Sequence, residues 1–195
     1  MRSPVNEGEK DFVIILGVDP GLLKTGYGVI NAESRTKLKL IEAGVIRTSP
    51  SSGISARVTD IFNNLSDIIK EHHPSALVLE KIYSHYAHPA TSILMGHARG
   101  VVCLAAGVNH IRLVNYAATR IKKAVTGNGR ASKIQIQRTV KAILNLNTCP
   151  KYNDITDALS MAISLVYIEG VPKHVLTSAG NSPRLFEKIT KGNTQ

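Results

Sequence analysis

Apolar residues along the chain recur at spacings that predict buried strands in some segments and helices in others. Residues 12–18 (FVIILGV) form an unbroken apolar run before Asp-Pro-Gly, which is typical of a central strand buried on both faces. Over residues 55–71 the apolar positions follow helical spacing and predict an amphipathic helix that Pro74 stops. A further helix opens at Pro89 and is apolar almost all round over residues 93–108. We expect this helix to be buried, in part against a second subunit.

The remaining elements follow from shorter apolar runs and helical repeats. Strands are predicted at residues 27–31, 38–47, 76–79 and 111–115, and helices at 117–126, at 132–144 and from 153 or 154 to 168. The resulting order is β-β-β-α-β-α-β-α-α-α, in which a meander precedes crossover units. Such an order predicts an α/β fold with a mixed sheet between helices.

The length of 195 residues predicts a single domain, over residues 11–169, that can bury most of its apolar surface. Residues 1–10 are polar, lack the core of a signal peptide and predict a flexible N-terminus, and residues 170–195 predict a basic, mobile tail. The two cysteines, Cys103 and Cys149, match neither a zinc site nor a disulfide framework, and the longest apolar runs are too short to span a bilayer. We therefore expect a cytoplasmic protein that does not bind membranes.

One long segment, residues 81–153, contains no Asp or Glu but eleven Lys and Arg. The whole chain carries a net charge of +10 at pH 7. A surface cleared of negative charge suits a polyanion such as nucleic acid. Aromatic residues make up only 5% of the chain and Trp is absent, which excludes an extended stacking platform for single strands.

Four acidic residues lie at the ends of predicted elements. Asp19 and Glu80 end the first and fourth strands, and Asp154 and Asp157 lie three apart at the start of the last helix. Each of them alone is typical of a turn, a strand end or a helix cap. If the first and fourth strands are neighbours, however, all four converge at one sheet edge, where they would repel one another unless metal ions neutralised them. Such a cluster predicts one or two Mg²⁺ ions that activate a water and stabilise the leaving oxygen in phosphodiester hydrolysis.

Five short motifs carry a resemblance to a known family. They are ILGVDPG at residues 15–21, TGYGVI at 25–30, LE at 79–80, GHARG at 96–100 and DITDAL at 154–159. Their order and spacing resemble the RuvC family of Holliday-junction resolvases, the crossover junction endodeoxyribonucleases. The resemblance implies an RNase H-like fold with a mixed five-stranded sheet flanked by helices.

The same resemblance implies an activity in DNA recombination and repair. It implies a homodimer that binds a four-way DNA junction and nicks two strands of like polarity symmetrically, with a metal-activated water that leaves a 5′-phosphate and a 3′-hydroxyl. Catalytic and metal-binding roles fall on Asp19, Glu80, Asp154 and Asp157, with Mg²⁺ as the cofactor and Mn²⁺ expected to substitute. A branch-migration motor of the RuvA/RuvB type is the expected partner.

The resemblance also places contacts to DNA. Lys122 and Lys133 match two lysines that the family uses near the cleaved phosphate, and Tyr83 falls where relatives often carry Phe close to the junction centre. Arg99, in a mostly apolar helix, needs an acid or a phosphate as its partner. The predicted DNA-binding residues are Lys122, Lys133, Tyr83, Arg99, Lys123 and Arg130.

Some positions depart from the family pattern, and other functions stay open. Leu22 and Leu23 stand where relatives usually have a small hydroxyl residue and a basic or polar one, so the family's cleavage preference does not carry over to this chain.

Another RNase H-like nuclease, or a catalytically inactive junction- or RNA-binding protein, remains an alternative. A sugar-kinase or chaperone-type ATPase would need a second Asp-x-Gly turn, which the sequence lacks. Dependence on a divalent metal separates an enzyme from a binding protein.

Overall fold

The structure, a computed structural model, describes residues 12–81 and 89–171, and of residues 89–91 only the backbone. Its elements are β1 (Val13–Asp19), β2 (Lys24–Ser34), β3 (Lys37–Arg47), α1 (Ile54–His72), β4 (Ala76–Glu80), α2 (Pro89–Val108), β5 (Arg112–Tyr116), α3 (Ala118–Thr126), α4 (Lys133–Ile143) and α5 (Asn153–Glu169). The predicted order of strands and helices is confirmed, although β2 extends beyond the predicted residues 27–31 at both ends. The predicted flexible residues 1–10 and residues 172–195 of the predicted tail lie outside the described part, so both stay predictions.

The five strands form one mixed sheet in the order β3-β2-β1-β4-β5. Strand β1 runs antiparallel to β2 and parallel to β4, and β4 runs parallel to β5. Val18 of β1 faces Leu79 of β4 in register, so the next residue of each strand, Asp19 and Glu80, leaves the sheet at the same edge. The condition on which the four-acid cluster depended, adjacency of the first and fourth strands, is met.

Helices cover both faces of the sheet and enclose two apolar clusters. Ile15 of β1 packs in the cluster under α3, α4 and α5, and its neighbour Leu16 packs in the cluster under α1 and α2. Both side chains are fully buried. Strand β1 is therefore buried on both faces, as its unbroken apolar run predicted.

Glycines bring α5 unusually close to the sheet. A methyl group at Gly17 would stand 1.9 Å from the carbonyl oxygen of Ala158, and one at Gly28 would stand 2.5 Å from the side chain of Leu159. Helix α5 thus rests on the bare backbone of β1 and β2. The first turns of α5 consequently lie beside the strand ends that carry Asp19.

Helix α2 differs from the expectation of burial all round. Its Ala98, Val102, Ala105 and Ala106 are buried against α1 and the sheet, whereas Ile93, Leu104 and Val108 on the opposite side are exposed. The apolar composition predicted that the helix is buried but not which side of it is buried. Within one chain only one side of the helix packs against α1 and the sheet. Burial of the other side against a second subunit stays a prediction.

Both cysteines are free: Cys103 packs against the cluster under α1 and α2, and Cys149 is exposed.

No helix within the described ranges has the length and apolar character that crossing a bilayer requires.

Candidate active site

Two of the predicted acids lie side by side at the ends of parallel strands. Asp19 is the last residue of β1 and Glu80 the last of β4. Because side chains alternate along a strand, Asp19 follows Ile15 and Gly17 on the face covered by α5, and Glu80 follows Ala76 and Val78 on that same face. The two carboxylates therefore share an edge and a face of the sheet.

The other two acids come from the first turns of α5. The carbonyl oxygen of Asp154 lies over Gly26, which pairs with Asp19 in the sheet. Asp157 follows one turn later on the same side of the helix. The structure therefore brings together all four acids that the sequence singled out.

Burial and mutual repulsion dominate the electrostatics of this acid cluster. Burial raises the pKa of Asp19 to about 7, and the charges of Asp157, Asp154 and Glu80 add to the shift. Burial also raises the pKa of Glu80 and that of Asp157; the charge of Asp157 adds to the first shift, and that of Asp154 to the second. At neutral pH a bound proton or a cation is needed to offset the repulsion among these four carboxylates.

Two predicted lysines face the cluster from the other helices. Lys133, the first residue of α4, lowers the pKa of Asp19 and of Asp157, and Lys122 of α3 lowers that of Glu80 and of Asp157. Helix α4 starts at a capping box formed by Ser132 and Gln135, which fixes where Lys133 leaves the helix. Within the described residues neither lysine forms an ion pair, so both amines remain available to an anion.

Arg99 connects α2 to the end of β4. Its guanidinium donates hydrogen bonds to the backbone carbonyl of Glu80 and to the side-chain oxygen of Asn115 on β5. The partners are thus a carbonyl and an amide, where the sequence predicted an acid or a phosphate. Arg99 fixes the backbone of Glu80, and its charge lowers the pKa of that residue.

A comparison with known proteins places this site in a family. The family model described as crossover junction endodeoxyribonuclease RuvC matches residues 15–165, a range that includes all four acids. The chain belongs to the RuvC family. The resemblance seen in the five motifs is confirmed.

Relatives within the RuvC family match along most of their length. The RuvC of Rhodopirellula baltica is 46% identical over 158 residues, which cover 81% of this chain and 88% of that protein. The RuvC of Alkaliphilus metalliredigens is 38% identical over 151 residues, or 77% of this chain and 91% of that protein. A solved structure described as T. thermophilus RuvC in complex with Holliday junction substrate superposes with a TM-score of 0.77 at 26% identity and covers 81% of this chain and 95% of that one. The RNase H-like fold is thereby confirmed.

The oxygen atoms of the RuvC acid cluster fit a hard divalent cation. All four side chains are carboxylates, the donors that Mg²⁺ prefers, and burial together with the neighbouring carboxylates raises the pKa values of Asp19, Glu80 and Asp157. Lys122 and Lys133 offset this repulsion only in part. The donor set therefore fits a metal ion.

In the described part of the chain a different trio, and not the acid cluster, has three metal-ligating atoms within 4.8 Å of one another. Within the described residues, Glu42, Glu71 and His72 each bring one such atom within 4.8 Å of the others, so this cluster could hold a metal ion. The Glu42 carboxylate already accepts a hydrogen bond from the Tyr27 hydroxyl and lies 2.6 Å from the His72 ring nitrogen Nε2. The trio shares no residue with the RuvC acid cluster and has protein partners of its own.

The other predicted DNA contacts of this chain are exposed lysine and arginine residues and one residue outside the described ranges. Lys123 and Arg130 are exposed, and Lys122 is partly buried beside them. Tyr83 lies outside the described residues, so its role stays a prediction. Sequence reasoning missed Asn115, the partner of Arg99; a polar residue at the end of an apolar strand next to β4 was the available signal.

Proposed function

We propose that this chain is a crossover junction endodeoxyribonuclease that resolves four-way DNA junctions by paired symmetric nicks in recombination and repair. The observation that carries the proposal is the acid cluster: four carboxylates from β1, β4 and α5 converge at one sheet edge in a chain of the RuvC family. The relative solved with a Holliday junction supports the choice of substrate.

The acid cluster would hold the metal through Asp19, Glu80, Asp154 and Asp157. Mg²⁺, or Mn²⁺ in its place, supplies charge neutralisation and an activated water when it is bound. The protein's own contribution is rigidity, because α5 rests on glycine backbone and Arg99 fixes the Glu80 carbonyl.

The lysines act on the phosphate. Lys122 and Lys133 face the acid cluster from α3 and α4 and have no carboxylate paired to them in the described part of the chain. A scissile phosphate placed over the carboxylates would lie within reach of these amines. They would bind the phosphate and stabilise the negative charge that grows on it. Attack of a water molecule on phosphorus, with cleavage of the bond from phosphorus to the 3′ oxygen, would leave a 5′-phosphate and a 3′-hydroxyl.

A homodimer would match the symmetry of the substrate. The exposed side of α2 carries Ile93, Leu104 and Val108 together with exposed glycines, at which an added methyl group would meet nothing within 4 Å. Small residues between apolar ones let two helices approach closely, and an apolar helix side left bare is a common interface. A two-fold dimer through α2 would present its two acid clusters to symmetric strands of a junction.

The remaining partners follow from the family and from the charge. A basic chain of net charge +10 suits DNA, and a RuvA/RuvB type motor is the proposed partner for branch migration. Free cysteines suit the reducing cytoplasm.

The deciding test is nicking of a synthetic four-way junction, end-labelled on each strand in turn, with Mg²⁺ and with EDTA. A linear duplex of the same sequence and an Asp19→Asn variant serve as controls. We expect paired symmetric nicks that require Mg²⁺ and Asp19 and spare the duplex. Tight binding of the junction without cleavage under every condition would instead identify a binding protein.

A further inference from the structure

An apolar pocket of about 460 Å³ opens beside the turn that follows Asp19. Its walls include Leu22 and Leu23 from the turn and Leu94 and Met95 from α2. Its volume lies in the range of about 300–1,000 Å³ that is usual for sites of small ligands. The four-acid mechanism uses none of these side chains.

The turn that forms one wall is held rigidly. The hydroxyl of Thr48 donates to the Leu22 carbonyl at 2.5 Å, and the Thr48 amide donates to the Leu23 carbonyl at 3.2 Å. Arg57 donates from Nε to the Thr48 hydroxyl at 3.0 Å, and Thr25 donates to the Gly21 carbonyl at 2.8 Å. This wall of the pocket is therefore held in place before any ligand arrives.

The apolar walls face solvent. Leu23 is 51% exposed, Leu94 46% and Met95 44%, whereas Leu22 at 7% forms the base of the turn. Lys24 and Arg57 also line the pocket, and within the described residues neither pairs with a carboxylate. An apolar cavity with two unpaired cations fits a flat apolar group that carries negative charge at its margin, which is the chemistry of a nucleotide.

The position of the pocket relates it to the reaction. Gly21 lines the pocket two residues after Asp19, so their Cα atoms are at most about 7 Å apart, roughly two steps of 3.4 Å along a nucleic-acid strand. The acid cluster lies on the α5 side of the sheet edge and the pocket on the α1–α2 side, with the turn between them. A strand that crosses the edge would pass from the acids over the turn and towards the α2 face proposed for the dimer.

We propose that this pocket receives one unpaired base of the cleaved strand, within about two nucleotides of the scissile phosphate. The inference rests on the proposed function and adds a determinant of base preference to it. Leu22, Leu23, Leu94 and Met95 contact the faces of the ring, and Lys24 and Arg57 bind the flanking phosphates. Only an unpaired base exposes its faces in this way, so the proposal requires a base pair next to the cut to open when the junction binds.

A second copy of the chain fits the pocket less well than DNA does. The exposed α2 residues proposed for the dimer, Ile93, Leu104 and Val108, lie on a different side of the helix from Met95. Two unpaired cations at the pocket also disfavour contact with another chain of net charge +10. DNA is therefore the occupant that the charges favour.

The test combines a base deletion in the DNA with a side-chain change in the protein. Four-way junctions that lack a single base, at each of the two positions on either side of the cut, are nicked under single-turnover conditions by the unmodified protein. The same substrates are given to Leu23→Ser and Met95→Ser, and to Ile41→Ser as a matched change of an exposed aliphatic residue far from the pocket. Leu22 is left unchanged because it is buried.

We expect one abasic position to slow the unmodified protein about tenfold or more, the loss typical when an apolar group is removed from a pocket. Leu23→Ser and Met95→Ser should slow nicking of the intact junction by a similar factor. On the junction with that abasic position, neither variant should be slowed further. Ile41→Ser should behave like the unmodified protein. Equal nicking rates on all junctions would overturn the pocket proposal. So would losses of rate from the missing base and from the side-chain change that multiply. Neither outcome would count against the proposed endonuclease activity.

A binding measurement keeps the two proposals separable. The Asp19→Asn variant, with and without Leu23→Ser, is titrated with the intact and abasic junctions and followed by fluorescence anisotropy. A loss of affinity on the abasic junction that Leu23→Ser abolishes supports the pocket, whether or not the parent protein nicks. Equal affinities for both junctions count against the pocket, and an unmodified protein that fails to nick an intact junction counts against the proposed function.

Discussion

Asp154 of α5 lies directly against Gly26 of β2: a methyl group at Gly26 would stand 2.2 Å from the Asp154 carbonyl oxygen. Gly26 is also the sheet partner of Asp19. Because Gly26 has no side chain, α5 with Asp154 and Asp157 can lie close to β2 and to the neighbouring strand β1, which carries Asp19.

Gly26→Ala should push α5 away from the sheet and separate the acids. We expect a loss of about 1–3 kcal/mol in the free energy of unfolding, as for an overpacked core, together with loss of most nicking activity. Gly53→Ala is the control for a methyl group that meets nothing within 4 Å; because Gly53 is the N-cap of α1, we expect a loss of up to about 1 kcal/mol in the free energy of unfolding and unchanged nicking. Urea unfolding and junction nicking measure the two effects; full activity of Gly26→Ala would mean that α5 does not need this contact.

The raised pKa of Asp19 predicts how stability depends on pH without metal. The unfolded chain releases this proton near pH 4 and the folded chain near pH 7, so the contribution of Asp19 to stability should fall as pH rises from about 4 to 7 and level off above. Glu80 and Asp157, whose pKa values are also raised, act in the same direction. Asp19→Asn should remove this loss and be more stable than the parent at pH 8 by on the order of 2–4 kcal/mol. Urea unfolding in EDTA at pH 5 and pH 8, on the parent and on Asp19→Asn, measures it.

Arg99 and Asn115 should act on catalysis through the position of Glu80. Asn115→Ala removes one partner of Arg99, and we expect nicking to slow about tenfold, as for other residues that orient a ligand, with little change in junction affinity. Arg99→Gln should slow nicking at least as much. Nicking rates and dissociation constants measured in parallel separate the roles: weaker junction binding by Arg99→Gln alone would show that Arg99 contacts DNA.

Lys122 and Lys123 are adjacent in α3 and should behave differently. Lys122 acts on the pKa of Glu80 and Asp157, so Lys122→Ala should slow cleavage more than it weakens binding. Lys123→Ala should weaken binding slightly and reduce its salt dependence, because an exposed lysine near DNA mainly neutralises phosphate. Equal losses of rate and affinity in Lys122→Ala would make this residue a phosphate anchor.

The exposed side of α2 should hold the dimer together. Leu104→Glu places a charge in the centre of that side, and we expect it to convert the protein to a monomer in light scattering after gel filtration. Ile41→Glu, on β3, is the control and should leave the mass unchanged. A monomeric parent protein, or a dimeric Leu104→Glu, would exclude this surface as the interface.

The sequence predicted the elements and the acid cluster well because both depend on local signals. The apolar run before Asp19 identified a central strand, and a carboxylate at a strand end needs a partner wherever the strand lies. The bare side of α2 could not be predicted, since apolar residues all round a helix carry no direction. The Arg99–Asn115 contact and the pocket at Leu23 join residues from separate elements, and only the packing of α2 beside β5 and the β1–β2 turn creates them.

The placement of α5 against β1 has a consequence for synthesis in the cell. Asp19 emerges from the ribosome early, whereas Asp154 and Asp157 belong to the last described helix and emerge late. A nascent chain, or one truncated before α5, thus has at most half of its carboxylates and no lid over Gly17 and Gly26. The acid cluster therefore forms only when the last described helix has been made and has packed onto the sheet.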